Sequence, residues 1–161
     1  MRFELSFERS TGALLLGSDV RLGVAESRTQ AANSLASLIH RIRDLKNDYV
    51  WIDLRGLSFG GQTCAASFCF MSDRLHGASW SVSLPGAELE GGWPTRKAID
   101  EEIAFVRRTL KQQLGRDFEQ GREIFPWGTV FSVFDEKGFQ AHNGLRHHVG
   151  YLGAKVLLDN I

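Results

Sequence analysis

Phe3, Leu5 and Phe7 alternate with Arg2, Glu4, Ser6 and Glu8 at the start of the chain. A period of two sends one set to a core and the other to water, which predicts a half-buried strand. Arg9-Ser10-Thr11-Gly12 has turn chemistry, and the apolar residues 13–16 return as the second strand of a hairpin. Residues 17–25 extend that strand past a bend at Gly17 or Gly23. The period then changes. Ser27 followed by Gln30 reads as a capping box, and Ala31, Leu35, Leu38, Ile39, Ile42 and Leu45 recur at steps of three and four. This predicts an amphipathic helix over 28–46. Arg43 and Lys46 suit the negative end of its dipole, and Asn47 suits its cap.

Residues 49–54 are rich in β-branched and aromatic side chains and predict a strand. Arg55-Gly56 marks a bulge or tight turn. Gly60-Gly61 separates residues 57–59 from a long run over 62–71, and residues 72–77 form another turn. From 78 to 84, Trp80, Val82 and Leu84 alternate with Ser79, Ser81 and Ser83, so the serines face water or a partner. Residues 85–94 read as a loop. Thr95 caps a second helix over 96–114, whose apolar face is Ile99, Ile103, Val106, Leu110 and Leu114. Asp100, Glu101 and Glu102 lie early in it, Arg107, Arg108 and Lys111 lie late, and Gly115 stops it. Residues 127–134 alternate again, 135–138 turn, and Phe139 begins the return. Asn143-Gly144 reads as a further turn. Residues 149–161 suit a short strand or a short helix equally.

The order β-β-α-β-β-β-α-β-β, joined mostly by hairpins, predicts an α+β fold. Its sheet is largely antiparallel, and two amphipathic helices cover one face. No internal stretch is long or polar enough to divide the chain, so residues 1–161 are expected to form one domain.

Composition narrows the function by exclusion. Apolar residues make up 43% of 161, enough for a core. Lys+Arg and Asp+Glu both count 19, so the net charge is zero. General nucleic-acid binding needs clustered excess positive charge, and here Arg41, Arg43 and Lys46 are interleaved with Asp44 and Asp48. No stretch approaches the ~20 apolar residues of a membrane span, and the alternating start lacks the continuous apolar core of a secretory leader. The expected location is cytoplasmic. Cys64 and Cys69 are five apart, on opposite faces of any strand, and lack zinc spacing; they are expected to be reduced and buried.

Chemistry-bearing sets are few. Gly60-Gly61-Gln62 and Gly91-Gly92-Trp93 match no phosphate-binding fingerprint. His142, His147 and His148 cluster without a metal signature, and neither cysteine has a local nucleophile motif. Asp53 shares a face with Tyr49 and Trp51 and is expected to pair with Arg55. No cofactor and no metal are expected. A recognition surface is better supported. Residues 85–105 hold Glu88, Glu90, Asp100, Glu101 and Glu102 against Arg96 and Lys97, a net charge of −3. Trp93 is an amphipathic anchor of the kind found at binding hot spots. Glu88, Glu90, Trp93, Asp100 and Glu101 are thus the expected partner-binding residues. The sheet face presenting Ser79, Ser81 and Ser83 is a second candidate surface, and it leaves a homodimer open.

Three stretches, 51–61 (WIDLRGLSFGG), 92–95 (GWPT) and 127–139, together with both helices, resemble small immunity proteins of bacterial polymorphic toxin systems, especially those delivered by type VI secretion. The resemblance covers residues 1–148. It implies a cytoplasmic, non-enzymatic protein that binds a cognate toxin and blocks its active site, with no catalytic residue to carry over. The alternatives are a secretion-effector chaperone and a small enzyme using the C-terminal histidines with Asp53.

Overall fold

The computed structural model describes residues 3–148; the expectation for 149–161 lies outside them. The fold is α+β. Strands β1 (Phe3–Phe7), β2 (Leu14–Leu16) and β3 (Val20–Leu22) lead into helix α1 (Arg28–Ser34) and a 3-10 turn at Ala36–Leu38. Strands β4 (Ile39–Asp44), β5 (Tyr49–Phe59), β6 (Gln62–Met71) and β7 (Arg74–Ser83) follow. A small hairpin of β8 (Leu89–Glu90) and β9 (Trp93–Pro94) precedes helix α2 (Arg96–Leu114). Strands β10 (Arg122–Phe125), β11 (Gly128–Asp135) and β12 (Gln140–His147) complete the described chain.

Ten strands form one mixed sheet in the order β10-β11-β12-β7-β6-β5-β1-β2-β3, with β4 also on β5. Most neighbours are antiparallel, and β1 runs parallel to β5. Long β5 divides its second edge between two strands. Its first half, Val50 to Leu54, pairs with β4; Leu57 and Ser58 pair with β1. The changeover is an irregularity at Arg55-Gly56, where Gly56 takes φ 79°, a left-handed conformation that costs glycine least.

The second predicted helix is present as expected. Thr95 Oγ1 accepts from the Ala98 N–H, Gly115 ends the helix at φ 69°, and the apolar stripe from Ile99 to Leu114 is buried. The helix packs on β11, β12, β1 and β7, over a core in which Phe7 and Phe59 lie 4.9 and 5.4 Å from the Trp80 ring. The first helix is a correction. Its Ser27 cap is present, with Ser27 Oγ accepting from Gln30 N–H, and Ala31 and Leu35 are buried. It ends after two turns, and residues 39–44, expected to be helical, form β4. Lys46 and Asp48 take positive φ in the turn to β5, so Asn47 caps no helix. Ile39 and Ile42 satisfy a helical step, but Arg41 and Arg43 also stand two apart. In a strand both reach one face.

The Asn143-Gly144 turn is a second correction, because β12 runs through it unbroken. Asn143 is buried. Its amide donates to the Trp80 carbonyl and the Glu102 carboxylate, and its Oδ1 accepts from Ser132 Oγ. Gly144 lies under the Phe131 ring, where a Cβ would stand 2.4 Å from Cζ. The pair marks close packing here, not reversal.

Candidate functional site

Helix α2 covers one face of the sheet and leaves the other open across β4, β5, β6, β7, β12 and β11. Period-two alternation decides what this face displays. Asp53 is opposite Arg41 on one side and Ser67 on the other; Ser67 is opposite Ser79. Trp51 is opposite Arg43 and Cys69, Cys69 is opposite Gly77, and Gly77 is opposite Arg146. Three concavities of about 530, 280 and 160 Å³ lie along this face. Ser79 lines the first two, and Phe131 and Arg146 line the last two, so they form one trough.

Asp53 organises the first concavity. It is 8% exposed. Arg41 Nε donates to its Oδ2 at 3.0 Å, Arg43 Nε and Nη2 donate to both oxygens at 2.9 Å, and Ser67 Oγ donates to Oδ1 at 2.7 Å. Burial alone raises such a carboxyl; hydrogen bonds from Arg43, Ser67 and Arg41 overcome it and hold Asp53 at about 2. The expected partner Arg55 is not the one used. It stands at the β5 irregularity, while β4 brings two guanidinium groups directly opposite. Arg43 also lies 5.6 Å over the Trp51 ring.

The histidines separate. His147 is 1% exposed; its Nε2 lies 2.8 Å from the Gly12 carbonyl, which can only accept, so Nε2 carries the proton. Burial depresses its pKa. His142 rests edge-on against Phe131, and His148 Nε2 is 3.0 Å from Thr129 Oγ1. None contacts Asp53. Among the described residues no three His, Cys, Asp or Glu side chains converge on a metal position. Both cysteines are free and buried, as expected. Burial pushes the Cys64 thiol up to about 12 and raises Cys69 as well. Cys69 shares the middle concavity with His76 and His142, and the buried His76 Nδ1 has no hydrogen-bond partner among the described residues.

The expected partner-binding residues fall at the β8–β9 hairpin and the first turns of α2. Trp93 is 77% exposed and Leu89 61%. Glu88, Glu90, Asp100 and Glu101 are all exposed. Both bases of the patch are paired with its acids, and the inward turn of Glu102 leaves four exposed carboxylates. Arg96 Nε bonds Asp100 at 2.9 Å, and Lys97 Nζ lies 4.0 Å from Glu88. Glu102 turns inward to accept from Val82 N–H and the Asn143 amide.

Sequence reasoning named the serine face but missed the arginines on it. The Arg41-x-Arg43 spacing was the available signal, hidden by a competing helical period.

No family model matches the sequence, and no curated protein matches it. Among solved structures, the chain is similar to a chain in the complex of Rhs1-CT with its cognate immunity protein RhsI1. The TM-score is 0.50 and the identity 11%, over 97% of each chain. At that identity the likeness is one of fold. No described helix is long and apolar enough to cross a membrane.

Proposed function

We propose that this chain is an immunity protein of the polymorphic toxin kind, which binds a cognate toxin domain and neutralises it by covering its active site. The observation that carries the reading is the fold likeness, over nearly the whole of both chains, to a chain of a complex between Rhs1-CT and its cognate immunity protein. The chemistry agrees with it. Asp53 is held by two arginines, His147 by a backbone carbonyl, and both thiols are buried and protonated, so each group is committed to structure.

The β8–β9 hairpin supplies one contact. Trp93 and Leu89 are apolar anchors standing clear of the core, and Glu88, Glu90, Asp100 and Glu101 surround them with exposed carboxylates. Hot spots take this form, an aromatic anchor within a polar rim. The working compartment proposed is the cytoplasm, where the partner is a protein and no cofactor takes part.

The test is rescue. Reading frames neighbouring this gene are expressed one at a time, with and without the chain. One frame is expected to be toxic alone, harmless in the pair, and copurified with the chain. Rescue without binding sinks occlusion. Binding that stabilises a frame without toxicity of its own points to a secretion chaperone. At the hairpin, Trp93→Ala is expected to weaken the complex at least tenfold, about 1.4 kcal/mol or more. Charge reversal at Glu88 and Glu90 is expected to slow association.

A further inference from the structure

A stable protein complex buries about 800 Å² on each partner. The hairpin's two large apolar side chains supply only part of that, since one aromatic side chain contributes ~150–250 Å². The trough on the open sheet face is the extended surface of the molecule. From β4 to β11 it crosses five strand spacings, or ~24 Å.

Its composition is that of a recognition surface. Arg41, Arg43, Arg55, Arg122 and Arg146 line it, and Asp53 is the single acid among the lining residues, giving a local charge of +4 on a chain of zero net charge. Arg55, Arg122 and Arg146 have no carboxylate within 4 Å among the described residues. Trp51, Tyr49 and Phe131 add aromatic area between the arginines. Arginine and aromatic residues are the types enriched at protein interfaces, whereas lysine, absent from this lining, is depleted there. Arginine forks also match planar carboxylates, and the Arg41–Asp53–Arg43 cluster already holds one carboxylate in this way.

We propose that this open face is the main docking surface for the toxin domain, and that it receives an acidic, carboxylate-bearing part of that domain between Arg55 and Arg146. The proposal rests on the immunity reading for its partner, and on charge complementarity for where that partner sits. The chain leaves the sheet at Ser83, two residues beyond Ser81 of the trough, and reaches Leu89 six residues later. Six residues span at most ~22 Å, so one partner of domain size can cover trough and hairpin together.

The test pairs the full chain with the toxin domain found by rescue. Arg55→Glu with Arg146→Glu is expected to weaken binding at least thirtyfold, mostly through a slower association rate, and to flatten its dependence on salt. Neither arginine holds an internal carboxylate, so the melting temperature is expected to hold. Unchanged affinity in a folded double variant overturns the proposal. So does loss of binding on reversing Glu88 and Glu90 when the arginine variant binds normally.

A second measurement needs no loss of function. Ser81→Cys in a Cys69→Ser background, labelled with an environment-sensitive dye, is expected to change its emission when the toxin domain binds, while core-buried Cys64 stays unlabelled. A silent label with full binding overturns the trough as the interface.

If the wild-type chain captures no toxin, the immunity reading has failed, and the surface is tested alone with a fluorescent octaglutamate peptide and an octathymidylate. Peptide binding lost in the arginine variant supports an acidic protein ligand. Tighter binding of the oligonucleotide, or no binding of either, overturns it.

Discussion

Asp53 and His147 are both buried titratable groups, one held charged and one held neutral, and both resist protonation in the folded state. A carboxyl held below its unfolded value stabilises the fold above that value, and the contribution disappears as pH falls through the folded one. For Asp53, held at about 2, the contribution is complete above about pH 4 and gone near about pH 2; it amounts to about 2 kcal/mol. His147 is buried neutral, so protons favour the unfolded chain as pH drops below the ordinary histidine value of about 6.5. Denaturant titrations at a series of pH values are therefore expected to show stability lost in two stages. Asp53→Asn removes the stage below about pH 4 and lowers stability at neutrality. His147→Gln, which keeps a donor for the Gly12 carbonyl, removes the stage beginning near about pH 6.5. A single shared step in both variants would contradict these assignments.

At the level of elements, β4 is where local pattern and tertiary structure diverge. Ile42 is paired opposite Ile52, but it lies at the sheet margin and is half exposed, whereas Ile52 is fully buried. Ile42→Thr keeps a β-branched side chain and is expected to change stability by less than about 0.5 kcal/mol, while Ile52→Thr costs roughly 2 kcal/mol or more by buried polarity and lost packing. Equal costs would mean that 39–44 packs as a helix stripe. Helix α2 was legible because its cap, stripe and stop all agree and its face meets a sheet. Residues 28–46 carry a cap and a stripe too, but they hold two periods at once, and only the free edge of β5 and the Asp53 carboxylate decide between them. Asn143-Gly144 misled for a similar reason. The pair has the chemistry of a turn, and its burial beneath Phe131 depends on strand neighbours distant in sequence. The hairpin residues were legible as exposed carboxylates and an aromatic, but Glu102 turned inward because Asn143 and Val82 N–H were waiting for an acceptor.

Over the whole molecule, equal numbers of acids and bases conceal segregation, with arginines gathered on the open sheet and carboxylates at the β8–β9 hairpin. Composition therefore excluded a basic protein without excluding a basic face. The core face of the sheet also seals the Cys64 thiol. Cys64 is expected to react with a thiol reagent only at the rate at which the sheet opens, so in a Cys69→Ser variant labelling should follow global unfolding across a denaturant series; a fast phase in native buffer would place Cys64 at the surface. The position of β12 has a further consequence. It is the last described strand in sequence, yet it sits between β11 and β7, and the Gly77–Arg146 pair closes a loop of about seventy residues. During synthesis β7 emerges with an unpaired edge and keeps it until β12 has been made and has found its register. The β4–β7 part of the trough can assemble early, but Arg146 reaches it only at that final pairing. Whatever binds the whole trough thus meets a chain in which β12 has already been made and paired, and a newly started chain offers only the β4–β7 part.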